Sequence, residues 1–128
     1  MDLKFYLCTH CKNLIIKLHD AGVPVVCCGE KMQELIPNTV DAANEKHLPV
    51  ASMQDGKVSV SIGAVEHPMT EAHYIEWICL QTEKGTQIRH LLPTDAPKAE
   101  FLVGDEKPVA VYAYCNLHGL WKTDLNQF

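Results

Sequence analysis

Residues 25–30 read VVCCGE, and the two adjacent thiols in this stretch decide how the first part of the chain folds. A second pair, Cys8 and Cys11 in CTHC, lies upstream. Four thiolates in tetrahedral arrangement suit zinc or a single iron, and the residues alone leave that choice open. Neighbouring side chains of an extended strand point to opposite sides. Cys27 and Cys28 therefore reach one ion only from a bent backbone, and we expect a distorted tetrahedron.

Length and composition indicate a soluble chain with little room for more than one compact domain. The 128 residues allow one domain, or a very small module joined to a compact one, and 47% of them are hydrophobic. No apolar run approaches the roughly 18 residues of a membrane span. The first ten residues lack the pattern of a signal peptide, so we expect a cytoplasmic location. In that compartment the six cysteines favour metal binding or catalysis over structural disulfides.

The charge of the chain argues against nucleic acid as its main partner, while the lack of a long apolar run argues against a membrane. The formal net charge is −5, and the eleven basic residues are scattered. Phosphate backbones require clustered Lys and Arg. An acidic protein can still carry a locally positive site, so a small anionic substrate remains compatible with this balance.

The chain changes character near residue 37, which predicts domains at 1–36 and 37–128. The first segment holds four of the six cysteines and two short apolar runs, 14–18 and 23–26. These runs predict a hairpin with its turn at residues 20–22. So small a segment has almost no core of its own, and a bound metal would supply the missing folding free energy.

The second segment carries the pattern of antiparallel strands. In KVSVSIG, residues 57–63, hydrophobic and polar side chains alternate, which predicts a half-buried strand. Residues 38–47 predict an irregular connection with about one helical turn. Short strands without a long amphipathic helix favour an all-β fold, a sandwich or a barrel. The further predicted strands are 75–81, 86–92, 98–103 and 107–115.

A second set of potential metal ligands lies in this segment. Its members are His47, His67, His73, Cys115 and His118. Taken singly, each histidine is more often an ordinary surface or core residue. Several lie beside prolines or at strand ends, however, where functional residues concentrate. Four imidazoles and one thiolate leave one octahedral position open, which favours a redox iron site over a closed structural one.

Glu45 and Lys46 precede the first of these histidines directly. Four neutral imidazoles, one thiolate and Fe²⁺ make the site net positive, so it would attract a small anion. Lys46 would add to that attraction, and Glu45 could reach the open position once the iron is oxidised. The alternative is a solvated charge pair without a role.

Five motifs together resemble the desulfoferrodoxins, the two-iron superoxide reductases. They are YLCTHCKNLI, VVCCGEKM, NTVDAANEKHLPV, EHPMTEAHYIEWI and YCNLHGLWK, and they cover most of the chain. The resemblance implies a desulforedoxin-like β module in residues 1–36. An immunoglobulin-like, neelaredoxin-like β-sandwich of about seven strands follows in residues 37–128. Position 12 departs from the pattern, with Lys where Gly often follows the second cysteine.

The resemblance also implies two iron centres in each chain. The first would be an iron–tetrathiolate held by Cys8, Cys11, Cys27 and Cys28. The second would be ferrous iron, with the imidazoles of His47, His67, His73 and His118 in a plane and Cys115 axial. Lys46 would guide superoxide and support protonation of the product. Glu45 would occupy the sixth position of the ferric resting state.

The implied activity is one-electron reduction of superoxide to hydrogen peroxide, as a defence against oxidative stress. An external donor, a rubredoxin or a similar protein, would restore the ferrous state, and the chain would form a homodimer. Two other functions compete with this one. They are a rubredoxin-like electron carrier without catalysis and a zinc-ribbon interaction module, and both leave the five ligands of the second set unexplained.

Overall fold

The computed structural model describes residues 2–126 and separates the chain into two compact units. One unit runs to Ile36 and the other starts at Pro37. Across residues 2–126, no helix has the length and apolar character needed to cross a membrane.

The first unit consists of five very short strands. They are β1 (Phe5–Leu7), β2 (Leu14–Ile16), β3 (Val26–Cys27), β4 (Glu30–Lys31) and β5 (Gln33–Glu34). β1 lies between β2 and β5 in a three-stranded antiparallel sheet, while β3 and β4 form a separate two-stranded ribbon. The CTHC segment therefore forms the turn between β1 and β2, and VVCCGE forms the turn of the ribbon.

The hairpin predicted between residues 14–18 and 23–26 is wrong. β2 pairs with β1, with Leu14 opposite Leu7, and residues 23–26 do not pair with β2. The turn expected at residues 20–22 does exist, because the Gly22 N–H donates to Asp20 Oδ1 at 2.9 Å. Apolar runs identify strand segments but not their partners. Here the CTHC turn places β1, rather than residues 23–26, alongside β2.

The second unit contains one helical turn and seven strands. They are α1 (Asn44–His47), β6 (Pro49–Gln54), β7 (Lys57–Ile62), β8 (Ile75–Thr82), β9 (Thr86–His90), β10 (Lys98–Leu102), β11 (Pro108–Cys115) and β12 (Gly119–Asp124). One sheet has the order β10-β7-β6 and the other β12-β11-β8-β9, with every pairing antiparallel. These two sheets confirm the prediction of an all-β fold and make it a sandwich rather than a barrel.

The core of this unit lies between its two sheets. In β7 the side chains of Val58, Val60 and Ile62 are fully buried and alternate with polar residues, as the period of two predicted. They pack in one cluster with residues of the opposite sheet, including Leu80 and Val111. Burying such side chains is the main source of stability for a sandwich of this size.

The strand pairings bring three connections together at one end of the sandwich. Pro49 at the start of β6 lies opposite Ile62 at the end of β7. Cys115 at the end of β11 lies opposite both Ile75, where β8 begins, and Gly119, where β12 begins. Helix α1, the β7–β8 loop and the β11–β12 turn consequently share this end. They carry the four histidines of the second set, and Cys115 lies beside them at the end of β11.

Candidate metal centres

In the first unit, the two turns bring four thiols into one cluster. All four Sγ atoms lie within 4.8 Å of one another, and none of the four cysteines forms a disulfide. The Sγ atoms of Cys11 and Cys27 are 3.6 Å apart, and those of Cys27 and Cys28 are 4.0 Å apart. Convergence of four unbonded sulfurs at this spacing suits a tetrahedral metal ion.

The adjacent thiols converge because the backbone bends at the second of them. Cys28 has φ 54°, in the left-handed region, and Gly29 follows with φ 77°. In the other turn Lys12 has φ 70°, and its backbone N–H donates to Cys8 O at 2.9 Å. Position 12 thus adopts a conformation that favours glycine, although this sequence places Lys there.

The thiols of this cluster differ in acidity. The backbone N–H of Cys11 lowers the pKa of the Cys8 thiol to about 6. Hydrogen bonds with Cys11 and Cys8 raise the pKa of Cys28 to about 12. The first thiolate therefore forms readily, whereas the crowded sulfurs oppose the last ionisation. A bound cation would offset that repulsion.

At the loop end of the sandwich, the second set of candidates forms another cluster. The ligand atoms of His47, His67, His73 and Cys115 all lie within 4.8 Å of one another. Nδ1 of His118 adjoins them, at 3.0 Å from His47 Nε2 and 3.9 Å from Cys115 Sγ. The structure thus brings together all five residues that the sequence singled out.

Backbone carbonyls fix which nitrogen of two imidazoles faces the cluster. His47 Nδ1 lies 2.7 Å from Ala43 O, and His67 Nδ1 lies 2.7 Å from Pro68 O. Each Nδ1–H donates to its carbonyl, which leaves Nε2 as the lone-pair atom directed inward.

Two buried ring nitrogens indicate that the cluster fits a metal ion. Nε2 of His67 and Nε2 of His73 are buried, and neither has a hydrogen-bond partner among residues 2–126. A buried polar atom without a partner is costly, and most such atoms in proteins are satisfied. A metal ion at the centre would satisfy both, and imidazole and thiolate together suit a transition metal.

Burial favours the neutral, metal-binding form of three of these imidazoles. It lowers the pKa of His67 to about 4, and the side chain is only 1% exposed. Burial also lowers the pKa of His47 and of His73, and the positive charge of Lys46 acts in the same direction. The pKa of the Cys115 thiol is raised, chiefly by burial, so its thiolate would be stabilised by a nearby cation.

Trp121 supports this cluster directly. Its ring stacks on that of His47, with centroids 4.9 Å apart and an interplanar angle of 26°. Its indole Nε1–H donates to His118 O at 3.1 Å. A tryptophan shortly after the CNLH motif was the only sequence signal for this role.

Glu45 and Lys46 lie on α1 with exposed side chains, outside the ligand cluster. Their backbone is tied to the β7–β8 loop, since the Val65 N–H donates to Glu45 O at 2.8 Å. Cys79, by contrast, is fully buried on β8, and burial raises its thiol pKa to about 12. That environment identifies Cys79 as a core residue.

Comparison with known proteins places the chain in one family. Residues 39–124 match the family model described as desulfoferrodoxin. A desulfoferrodoxin from Nitratidesulfovibrio vulgaris is 45% identical over 121 residues, which cover 94% of this chain and 95% of that protein. A superoxide reductase from Thermococcus kodakarensis is 36% identical over 103 residues, covering 66% of this chain and 90% of the relative.

The fold has a close counterpart among solved structures. The crystal structure of the superoxide reductase from Treponema pallidum superposes with a TM-score of 0.82 at 38% identity, covering 97% of this chain and 100% of that one. The superoxide reductase of Giardia intestinalis covers 63% of this chain and 97% of its own, with a TM-score of 0.55 at 35% identity. With two clusters of metal-binding side chains and near-complete alignment to its relatives, the chain belongs to the desulfoferrodoxin family.

Proposed function

We propose that this chain is a superoxide reductase, which reduces superoxide by one electron to hydrogen peroxide at the histidine–cysteine cluster. The observation that carries the proposal is the convergence of four imidazoles and Cys115, with buried Nε2 atoms that have no partner in the described chain. The superoxide reductases among its relatives and structural neighbours support the same activity.

Iron is the metal we assign to both clusters. Cys8, Cys11, Cys27 and Cys28 would hold one ion, and His47, His67, His73, His118 and Cys115 the other. Four thiolates suit zinc or a single iron, so iron at the first cluster rests on similarity to the two-iron family. At the second cluster, five protein donors exceed the four that close a structural zinc site. Iron bound at the second cluster would supply a ferrous–ferric couple for a one-electron reduction.

The protein side chains would control where superoxide binds and how it is protonated. The Cys115 thiolate would donate electron density to the metal, and its complete burial excludes water from the sulfur. On α1, Lys46 is exposed, and its positive charge acts on the imidazoles of His47 and His73. We infer that Lys46 draws in the superoxide anion and assists its protonation. Glu45 would compete for the open position in the oxidised state.

The reaction also requires an electron donor. Superoxide takes up one electron and two protons to form hydrogen peroxide, so each turnover consumes one electron from outside the chain. We propose a rubredoxin or a similar small electron carrier as the source, and a homodimer as the assembly. A cytoplasmic location likewise stays a prediction.

Product stoichiometry tests the reaction class. Superoxide is mixed with the anaerobically reduced, iron-loaded full chain, and hydrogen peroxide and dioxygen are both measured. A reductase yields one hydrogen peroxide per superoxide and no dioxygen. Half that yield, accompanied by dioxygen, would identify a dismutase and refute the proposal. No reaction at all would favour a pure electron carrier.

A further inference from the structure

His73 differs from the other histidines of the cluster in what holds its ring. His47 and His67 each donate from Nδ1 to a backbone carbonyl at 2.7 Å. Within residues 2–126, the structure shows no hydrogen bond to Nδ1 of His73, while its Nε2 is buried without a partner. Besides edge contacts with the rings of His67 and His118, with centroids 4.7 Å and 5.0 Å away, this imidazole is positioned through its backbone.

Part of that support is local. The His73 N–H donates to Thr70 Oγ1 at 3.1 Å, and the Thr70 N–H donates to His73 O at 3.0 Å. These bonds shape a tight turn within the β7–β8 loop. They lie within the loop and do not connect the turn to any strand of the sandwich.

Asn116 supplies the connection. Its Nδ2–H donates to Ala72 O at 3.0 Å, and its Oδ1 accepts from the Tyr74 N–H at 2.9 Å. Its own backbone N–H donates to Tyr74 O at 3.2 Å. One side chain thus forms hydrogen bonds with the peptide groups on both sides of His73.

The place of Asn116 in the chain gives this contact its significance. Asn116 lies in the β11–β12 turn, between the ligand candidates Cys115 and His118. The same few residues therefore present two ligand candidates and anchor the part of the loop that presents His73. Hydrogen bonds of this kind, made outside the ligands themselves, orient metal sites and raise their affinity.

We propose that Asn116 is a positioning residue that fixes His73 against the turn carrying Cys115 and His118. Removal of its side-chain amide should loosen that one imidazole and leave the other three in place. The inference rests on the proposed function only for the identification of the cluster as a metal site.

The test uses the full chain loaded with Zn²⁺, which is diamagnetic and permits NMR of each imidazole nitrogen. In the Asn116→Ala variant we expect the Nε2 resonance of His73 to move toward that of an unbound ring. The resonances of His47, His67 and His118 should remain at their metal-bound positions. The Zn²⁺ affinity of this cluster should fall by roughly tenfold to a hundredfold.

A matched pair of variants separates positioning from general destabilisation. Asn38 makes the same kind of contact with β12, since its Nδ2–H donates to Lys122 O at 3.1 Å and its Oδ1 accepts from the Lys122 N–H at 2.8 Å. Asn116→Asp and Asn38→Asp each remove one amide donor and retain one acceptor. Only Asn116→Asp should change the Nε2 resonance of His73.

Two results would overturn the proposal. One is an unchanged His73 resonance in both Asn116 variants. The other is an equal shift of all four imidazoles, which would make Asn116 a general stabiliser of the turn. Because the zinc-loaded chain is read by NMR rather than by turnover, a failure of the superoxide assay would leave this result interpretable.

Discussion

At the scale of single residues, Trp121 links two of the proposed ligands. Its ring covers one face of His47, and its indole N–H holds the carbonyl of His118. The side chain is 1% exposed, so it has no contact with solvent that could replace these two. The ring and the N–H can be removed separately, which makes their contributions measurable.

Trp121→Phe retains a ring beside His47 and loses the N–H, whereas Trp121→Ala loses both. We expect a loss of about 1 kcal/mol in the free energy of unfolding for the first change. For the second, the loss should be about 3–5 kcal/mol. Urea unfolding of the iron-loaded chain measures both, and the thiolate-to-iron absorption band should shift in Trp121→Ala. Trp77→Phe is the control, and a band unaltered by Trp121→Ala would contradict the role in the site.

The Lys46→Ala substitution tests whether Lys46 guides superoxide electrostatically. Lys46→Ala should slow the reaction with superoxide about tenfold at low ionic strength and weaken its salt dependence, because the guiding charge is lost. Lys84→Ala changes the net charge equally, at an exposed position between β8 and β9. Stopped-flow or pulse-radiolysis kinetics measures the rates. Equal slowing by the two substitutions would show that net charge, rather than Lys46 itself, matters.

The ligand candidates could be predicted from the sequence, but their supports could not. The dense CTHC and CC pairs signal metal binding by their spacing, whereas the histidines and Cys115 gained weight only as a set. Asn116 and Trp121 act through hydrogen bonds and ring contacts across the tertiary structure. Nothing in their residue type or local pattern reveals those partners.

At the scale of elements, α1 depends on its neighbours for its position. It is a single turn without a side-chain N-cap bond, so its stability comes from outside the helix. Gly63 donates its N–H to Leu48 O at 3.0 Å, just beyond the helix. A Cβ at Gly63 would meet the backbone of Val65 and lie 2.7 Å from Lys46 O.

Gly63→Ala should therefore displace α1, together with His47. Gly63 and Gly104 both have positive φ, but a Cβ at Gly104 would have no neighbour within 4 Å. Gly104→Ala should cost about 1–2 kcal/mol through backbone strain alone. Gly63→Ala should lower the free energy of unfolding by roughly 1–3 kcal/mol more than Gly104→Ala. It should also weaken metal binding at the second cluster. Chemical denaturation and metal titration test this, and equal effects of the two changes would contradict it.

Two strands, β6 and β12, were not predicted, and each shows why hydrophobic periodicity can fail to reveal a strand. β6 is mostly exposed, so its PVASMQ sequence shows no clear buried face. In β12 two consecutive residues, Leu120 and Trp121, are both buried, which hides the period of two. β7, with one face in the core, was predicted nearly to its ends.

At the scale of the whole molecule, the buried imidazoles link stability to pH. The pKa of His67 is lowered from 6.5 to about 4 by burial, and burial lowers those of His47 and His73 as well. Between these pH values the unfolded chain binds protons that the folded chain does not. In the absence of metal, stability is therefore retained above pH 6.5 and lost as the pH falls toward 4.

We expect the free energy of unfolding of the metal-free chain to decrease across that range. His67 should contribute at most about 3–4 kcal/mol of the decrease, since one pKa unit corresponds to about 1.4 kcal/mol. Urea titrations at a series of pH values provide the measurement, and His67→Gln should flatten the curve. The exposed His90, changed to Gln, is the control. A profile that His67→Gln does not alter would contradict the assignment.

The two-cluster arrangement is the central claim, and iron content measured beside superoxide reactivity tests it most directly. Anaerobically purified wild-type chain should contain one iron at each cluster. Cys28→Ser should lose the first iron and still react with superoxide, because the histidine–cysteine cluster is intact. His67→Ala should lose the second iron and the reaction together. The opposite result, with activity lost in Cys28→Ser and retained in His67→Ala, would contradict the account.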